Sequence, residues 1–94
     1  MRLSHSGLRV LKSCADRPRQ PLYGYELMQM TSLASGTLYP ILMRFEQAGW
    51  LESSWEAVDP SEEGRPRRRL YRITAAGSFA LAHYLGTLGL EAAA

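Results

Sequence analysis

The sequence predicts a mainly α-helical domain with a small β-hairpin, in the α+β class. Its 94 residues suffice for one domain with a thin core. Apolar residues recur at helical spacing in three segments of the first half, and the period then changes to two. A last segment with helical spacing follows. The fold class is therefore predicted from the chain length and from these changes in the spacing of apolar residues.

The first predicted helix covers residues 3–15, with Ser4 as its N-cap. Residues 16–21 contain two prolines, which end a helix and form a loop. A second, shorter helix is expected over residues 23–30. The two helices are therefore joined by a loop rather than by a tight turn.

The third helix is the most clearly predicted element. Ser35 is expected to be its N-cap, the helix should run through Ala48, and Gly49 should stop it. Its buried face is predicted from four apolar residues at i, i+3, i+4 and i+7, namely Leu38, Ile41, Leu42 and Phe45.

Two strands are predicted after the third helix, over residues 50–56 and 69–73. Trp50 and Trp55 are expected to be part of the core. Residues 57–68 contain prolines and a glycine, and they are expected to form a long, solvated hairpin tip. We call the whole hairpin, residues 50–73, the wing.

Thr74 is expected to cap a final helix. The order helix, helix, short turn, helix, hairpin, helix is that of a winged helix-turn-helix with one C-terminal helix. On this basis, residues 1–76 form a DNA-binding domain and residues 77–94 form a dimerisation helix and tail.

The exposed face of the third helix is the first candidate site. In a helix-turn-helix, the second helix of the pair enters the major groove with its N-terminal residues toward the bases. An ordinary solvated helix face is the alternative. The predicted DNA-contacting residues of this region are Tyr25, Ser35, Gly36, Thr37, Tyr39, Pro40, Met43, Arg44 and Gln47.

The second candidate site is a run of arginines in the wing. Although the net charge is only +2, five acidic residues over 52–63 are followed at once by this basic run. The alternative is that the arginines pair with Glu62 and Glu63. The arginines predicted to contact phosphates or a narrow minor groove are Arg65, Arg67, Arg68 and Arg69.

A third candidate surface is apolar. The last helix carries more apolar surface than a small winged helix must cover, which favours a homodimer. The alternative is that these residues close the domain's own core. The first helix can join the same interface. The predicted dimerisation residues are Leu8, Leu11, Phe79, Leu81, Tyr84, Leu85 and Leu88.

Other functional classes are disfavoured by the sequence. His5, His83 and Cys14 lack the spacing of a zinc site or of a catalytic constellation, and there is no glycine-rich phosphate loop. We therefore expect no enzyme activity, no metal and no cofactor. No apolar run is long enough to cross a bilayer and no secretory signal is evident, so we expect a cytoplasmic protein without membrane contact.

Taken together, the motifs resemble the PadR family, the phenolic acid decarboxylase regulators of bacteria, over about residues 5 to 85. The strings that carry the resemblance are Tyr-Gly-Tyr-Glu-Leu at 23–27, Ser-Gly-Thr-Leu-Tyr-Pro at 35–40, Phe-Glu-Gln-Ala-Gly-Trp-Leu at 45–51, Gly-Arg-Pro-Arg-Arg at 64–68, Tyr-Arg-Ile-Thr at 71–74 and Ala-Gly at 76–77.

The resemblance implies a dimeric transcriptional regulator, usually a repressor, that binds double-stranded DNA. Residues 35–47 would be the recognition helix. The short C-terminal region is similar to that of a subfamily in which some members bind a planar hydrophobic effector between subunits, where Phe79 and Tyr84 are available. A winged helix used for protein–protein contact is the alternative function.

Overall fold

The predicted fold class is confirmed. The structure is a computed structural model that describes residues 3–87. Its elements in chain order are α1 (His5–Ala15), β1 (Leu22–Tyr23), α2 (Gly24–Thr31), α3 (Ser35–Gln47), β2 (Leu51–Trp55), α4 (Pro60–Glu63), β3 (Arg69–Ile73) and α5 (Ala75–Thr87). The predicted dimerisation residue Leu88 lies outside the described residues.

Helix α1 is capped as the sequence predicts. The Ser4 hydroxyl accepts a hydrogen bond from the backbone N–H of Gly7 at 2.9 Å. Val10, Leu11 and Cys14 form its buried face. Burial raises the pKa of the Cys14 thiol to about 12, so this side chain is a neutral core residue at physiological pH.

The N-cap of helix α3 is Ala34, one residue before the predicted cap. Ala34 has the extended N-cap backbone, and its carbonyl accepts from the N–H of Leu38 at 2.9 Å. Ser35 is already helical, so the prediction that it caps the helix is wrong. The predicted buried face is confirmed, since Leu38, Ile41, Leu42 and Phe45 are all in the core.

The sheet has three antiparallel strands in the order β1-β3-β2, one more than the predicted hairpin. Strand β1 pairs Leu22 with Tyr71. It has only two residues, which is too short to show the alternation by which a strand is recognised. In the wing, Leu51 pairs with Ile73 and Trp55 with Arg69.

The expectation that both tryptophans lie in the core is correct only for Trp50. Trp50 is half-buried and its ring centroid is 5.5 Å from that of Phe45. Trp55 is 62% exposed. Burial decreases along β2 because only the end near Leu51 packs against the core, so Trp55 lies on the distal part of the wing.

The predicted hairpin tip is exposed to solvent, but it contains one helical turn. Asp59 caps α4 by accepting from the N–H of Ser61 at 2.9 Å. Gly64 ends the turn in a left-handed conformation with φ 68°, which favours glycine. The tip is therefore ordered by its own capping residues.

Helix α5 is attached to the segment before β2. As predicted, Thr74 caps the helix, since its hydroxyl accepts from the N–H of Gly77 at 3.0 Å, and it also donates to the carbonyl of Gly49 at 2.6 Å. Leu81 is buried in the same core as α1 and β3.

Within residues 3–87, no helix is long and apolar enough to cross a membrane. No group of His, Cys, Asp or Glu side chains there could hold a metal ion.

Candidate nucleic-acid interface

The face of α3 opposite the core is open to solvent over its whole length. Met43, 61% exposed, is near the middle of this face. An exposed apolar side chain there can contact a thymine methyl group, and Gln47 can bond an adenine. The exposed members of the predicted set on α3 are Ser35, Gly36, Thr37, Tyr39, Pro40, Met43, Arg44 and Gln47.

The start of α2 contributes two tyrosines beside this face. Tyr25 is 60% exposed, and its hydroxyl accepts a hydrogen bond from the Gln29 amide at 2.8 Å. Its ring stacks near that of Tyr23, with the centroids 6.5 Å apart. Tyr25, one of the predicted DNA-contacting residues, is thus exposed beside α3, and Tyr23 adds a residue that was not predicted.

Tyr39 extends from α3 across the start of α2. The Tyr39 ring occupies the space where a side chain at position 24 would be, because a Cβ on Gly24 would overlap its hydroxyl oxygen. Gly24 is part of the Tyr-Gly-Tyr string at 23–25. The sequence did not reveal its contact with Tyr39, fifteen positions away, because that contact forms only when α2 and α3 pack together.

Arg65 is turned toward an acidic residue of the wing and not outward. Its guanidinium donates to the Glu56 carboxylate at 2.7 and 3.2 Å, and the Glu63 carboxylate is 3.9 Å away. The hydrogen bond from Arg65 holds the pKa of the Glu56 carboxyl below its usual value. Arg65 therefore stabilises the wing, and its main acidic partner is Glu56 rather than Glu62 or Glu63.

The other predicted wing arginines are arranged around aromatic rings and backbone carbonyls. Arg67 is exposed and donates through Nε to the Val58 carbonyl at 2.9 Å. The Arg68 guanidinium carbon lies 4.1 Å from the centroid of the Tyr23 ring. Each arginine is thus oriented by a partner while its side chain stays at the surface.

Arg69 connects the wing to α3. Its guanidinium carbon lies 4.9 Å from the centroid of the Trp55 ring, and its Nη2 lies 3.8 Å from a Glu46 oxygen. Ser53 donates to the same Glu46 carboxylate at 2.6 Å. Through Glu46, the wing is thus joined to α3 by a hydrogen bond and an ion pair.

A cleft of about 330 Å³ opens where α2, α3 and β3 meet. Sequence analysis missed Tyr23, Gly24 and Tyr71. We call this site the tyrosine–arginine cleft, and its lining residues are Tyr23, Gly24, Tyr25, Tyr39, Arg67, Arg68, Arg69 and Tyr71.

The predicted dimerisation residues fall into two groups. Leu11 and Leu81 are buried in the chain's own core, and Leu8, Tyr84 and Leu85 are half-buried against it. Phe79 is 76% exposed. It borders an apolar groove of about 450 Å³ lined by Leu3, Trp50, Phe79, Ala80, His83, Tyr84 and Thr87.

The fold, the exposed face of α3 and the basic wing define a winged-helix transcriptional regulator that binds DNA. The family model described as the transcriptional regulator PadR-like family matches residues 10–83. The chain belongs to that family, whose members are regulators and not enzymes.

Solved structures agree with this assignment. A PadR family transcriptional regulator from Eggerthella lenta is 27% identical, with a TM-score of 0.71 over 89% of this chain and 74% of that one. A protein from Streptococcus mutans is 28% identical, with a TM-score of 0.68 over 90% and 76%. A PadR-like regulator from Bacillus cereus shares the fold at 24% identity, with a TM-score of 0.67 over 93% and 84%. No curated protein matches the sequence.

Proposed function

We propose that this chain is a sequence-specific repressor that binds a palindromic operator as a homodimer. The observation that carries the proposal is the open face of α3 beside a wing that presents oriented arginines. In this proposal α3 reads base edges in the major groove, and the wing holds the phosphates beside it.

Sequence preference is assigned to Met43 and Gln47 at the centre of the α3 face and to Arg44 on its flank. Gln47 can form two hydrogen bonds with an adenine, Arg44 can do so with a guanine, and Met43 can contact a thymine methyl group. Gly36 and Thr37 are small, so the first turn can come close to the DNA backbone.

The homodimer is proposed to form through α5, so that residues 77–94 act as the dimerisation segment. Phe79 supports this proposal because it forms an exposed apolar patch together with the groove lined by Trp50 and Tyr84, and such a patch marks an interaction surface. A dimer would place two copies of α3 on successive half-sites of one operator.

A small hydrophobic effector is proposed to bind in the apolar groove beside Phe79 and Tyr84, between the two subunits. Binding there would change the separation of the two recognition helices, and therefore their fit to the two half-sites. Because its target is chromosomal DNA, we place the protein in the cytoplasm.

Selection of bound duplexes from a random DNA pool tests the proposal. We expect a palindrome whose half-site centres are about 10–10.5 base pairs apart, or a multiple of that distance. Purely sequence-blind binding that weakens with salt would contradict it. A variant with Met43 and Gln47 both changed to alanine should lose the preference and keep the salt-dependent binding, which separates base reading from phosphate contact.

A further inference from the structure

The tyrosine–arginine cleft joins helix α3, the start of α2 and the wing. A helix in the major groove and a wing in the adjacent minor groove are separated by one sugar–phosphate strand. A surface between the two elements therefore faces that strand when both are docked. The cleft is such a surface, because Tyr39 comes from α3 and Arg67 and Arg69 come from the wing.

The lining of the cleft has the chemistry of an oxyanion site. Its lining residues include three arginines and four tyrosines. Among residues 3–87, no Asp or Glu is part of the lining, and the Glu46 carboxylate lies 3.8 Å from Nη2 of Arg69 at its border. Guanidinium and hydroxyl donors are the side-chain groups that bind phosphate oxygens in protein–DNA complexes. The volume is at the small end for ligand pockets, which suits a single small anionic group.

Gly24 determines where the Tyr39 hydroxyl lies in the cleft. A Cβ at position 24 would overlap that hydroxyl oxygen and lie 2.8 Å from the ring carbon that bears it. Any larger residue would force the tyrosine ring outward. Gly24 is therefore a positioning residue that acts through Tyr39.

We propose that the cleft binds one phosphodiester of the DNA strand that crosses between the two grooves, and that Gly24 positions Tyr39 for this contact. The inference rests on the proposed function, since it requires α3 and the wing to dock in adjacent grooves. Free inorganic phosphate offers the same oxyanion. Duplex DNA is the assigned source because Tyr39, Arg67 and Arg69 belong to the two elements that dock.

A double-mutant cycle tests whether Tyr39 and Arg67 share one phosphate. Anisotropy with a fluorescein-labelled duplex of mixed sequence measures binding without knowledge of the operator. Tyr39→Phe and Arg67→Ala together should weaken binding less than the product of the two separate losses, by about 2-fold or more. Tyr39→Phe with Arg44→Ala, on the other flank of α3, should give the simple product. If the loss of affinity in both double variants equals the product of the two single losses, the proposal is overturned.

A second cycle tests Gly24. Gly24→Ala should weaken binding as much as Tyr39→Ala, and it should have no further effect in the Tyr39→Ala background, where the new methyl group meets no ring. An equal loss in both backgrounds would overturn the positioning role. Thermal unfolding of each variant accompanies the cycle, and the Tyr39–Arg67 cycle tests the cleft even if Gly24→Ala does not fold.

Two further results distinguish DNA from free phosphate as the ligand of the cleft, and distinguish the cleft proposal from the operator proposal. Inorganic phosphate added at constant ionic strength should not displace the duplex, and displacement that Tyr39→Phe abolishes would overturn the assignment to DNA. Coupled losses without a selected palindrome would refute the specific operator and support the cleft. A selected palindrome with uncoupled losses would do the reverse.

Discussion

Gly77 is the residue at which α5 comes closest to the backbone before β2. A Cβ there would overlap the carbonyl oxygen of Trp50, which cannot move without moving the strand. We expect Gly77→Ala to lower the free energy of unfolding by about 1–3 kcal/mol, as overpacking does in other cores. Urea unfolding followed by circular dichroism measures the change.

Gly36→Ala is the control for this prediction. Gly36 is also helical, but a Cβ there would have open space around it. Alanine is favoured over glycine inside a helix by about 1 kcal/mol, so this variant should be as stable as the natural chain or more stable. Equal destabilisation by both substitutions would show that Gly77 has no special packing role.

The pair of Glu56 and Arg65 predicts how stability depends on pH. The hydrogen bond from Arg65 lowers the pKa of Glu56 in the folded chain below its ordinary value of 4.5. A lowered folded-state pKa gives stability that is present above the unfolded pKa and is lost as pH falls through the folded pKa. Glu56→Gln should therefore lower the Tm at neutral pH.

The difference in Tm between the natural chain and Glu56→Gln should shrink below pH 4.5, where the carboxylate takes up a proton. Thermal unfolding over a pH series measures it. Glu62→Gln, in the same tip, is the control and should leave the Tm at neutral pH nearly unchanged, because Glu62 forms no ion pair among residues 3–87. A difference in Tm that persists into strong acid would rule out the ion pair as its cause.

Single-residue contacts were predicted less well than elements, because they depend on residues that are far apart in sequence. Glu56 and Arg65 meet across the wing, and Gly24 meets Tyr39 across two helices. Neither contact leaves a periodic pattern. Ser35 was misassigned because serine is favoured as a cap, whereas the backbone of Ala34 decides where α3 begins.

At the scale of elements, α3 could be predicted because the spacing of its apolar residues shows which face of the helix is buried. Strand β1 could not be predicted, since two residues have no measurable period. The alternation of β2 was correct, but it did not show how far the core extends under the strand. Trp55 was therefore assigned to the core and is exposed.

The wing carries a prediction about salt dependence. Each phosphate contact through a basic side chain contributes about 0.9 to the slope of log affinity against log salt. Arg67→Ala should lower the magnitude of that slope by about this amount, while Arg65→Ala should leave it nearly unchanged because Arg65 is held by Glu56. Anisotropy titrations over a salt series measure both slopes.

Arg72→Ala is the matched control for the wing. Arg72 is on the same strand as Arg69 but on the opposite face of the sheet, because it is three positions along and side chains of a strand alternate between faces. Its cross-strand neighbour is Glu52. Its removal should not alter the slope. Arg65→Ala and Arg72→Ala could instead lower the slope as much as Arg67→Ala does. DNA binding would then depend only on the net charge of the chain and not on the geometry of the wing.

For the whole molecule, the distribution of apolar residues separates what the chain needs to fold from what it offers to a partner. Leu11, Leu81 and the buried face of α3 form one core. Phe79 lies outside that core on the exposed side of α5. A sequence pattern alone placed Leu11, Leu81 and Phe79 in one interface, because periodicity does not distinguish a core from a dimer surface.

Phe79→Asp should convert the proposed dimer into a folded monomer. An exposed side chain contributes little to folding, so the free energy of unfolding of the monomer should change by less than about 0.5 kcal/mol. A charge placed in an apolar interface is strongly unfavourable, and the loss of the dimer should also remove tight binding to a palindrome while weak binding to a half-site persists. Sedimentation equilibrium and anisotropy measure the two effects.

Ser78→Asp introduces the same charge next to the groove but outside its lining, and it should leave both properties unchanged. A Phe79→Asp chain that still sediments as a dimer would exclude this face of α5 as the interface.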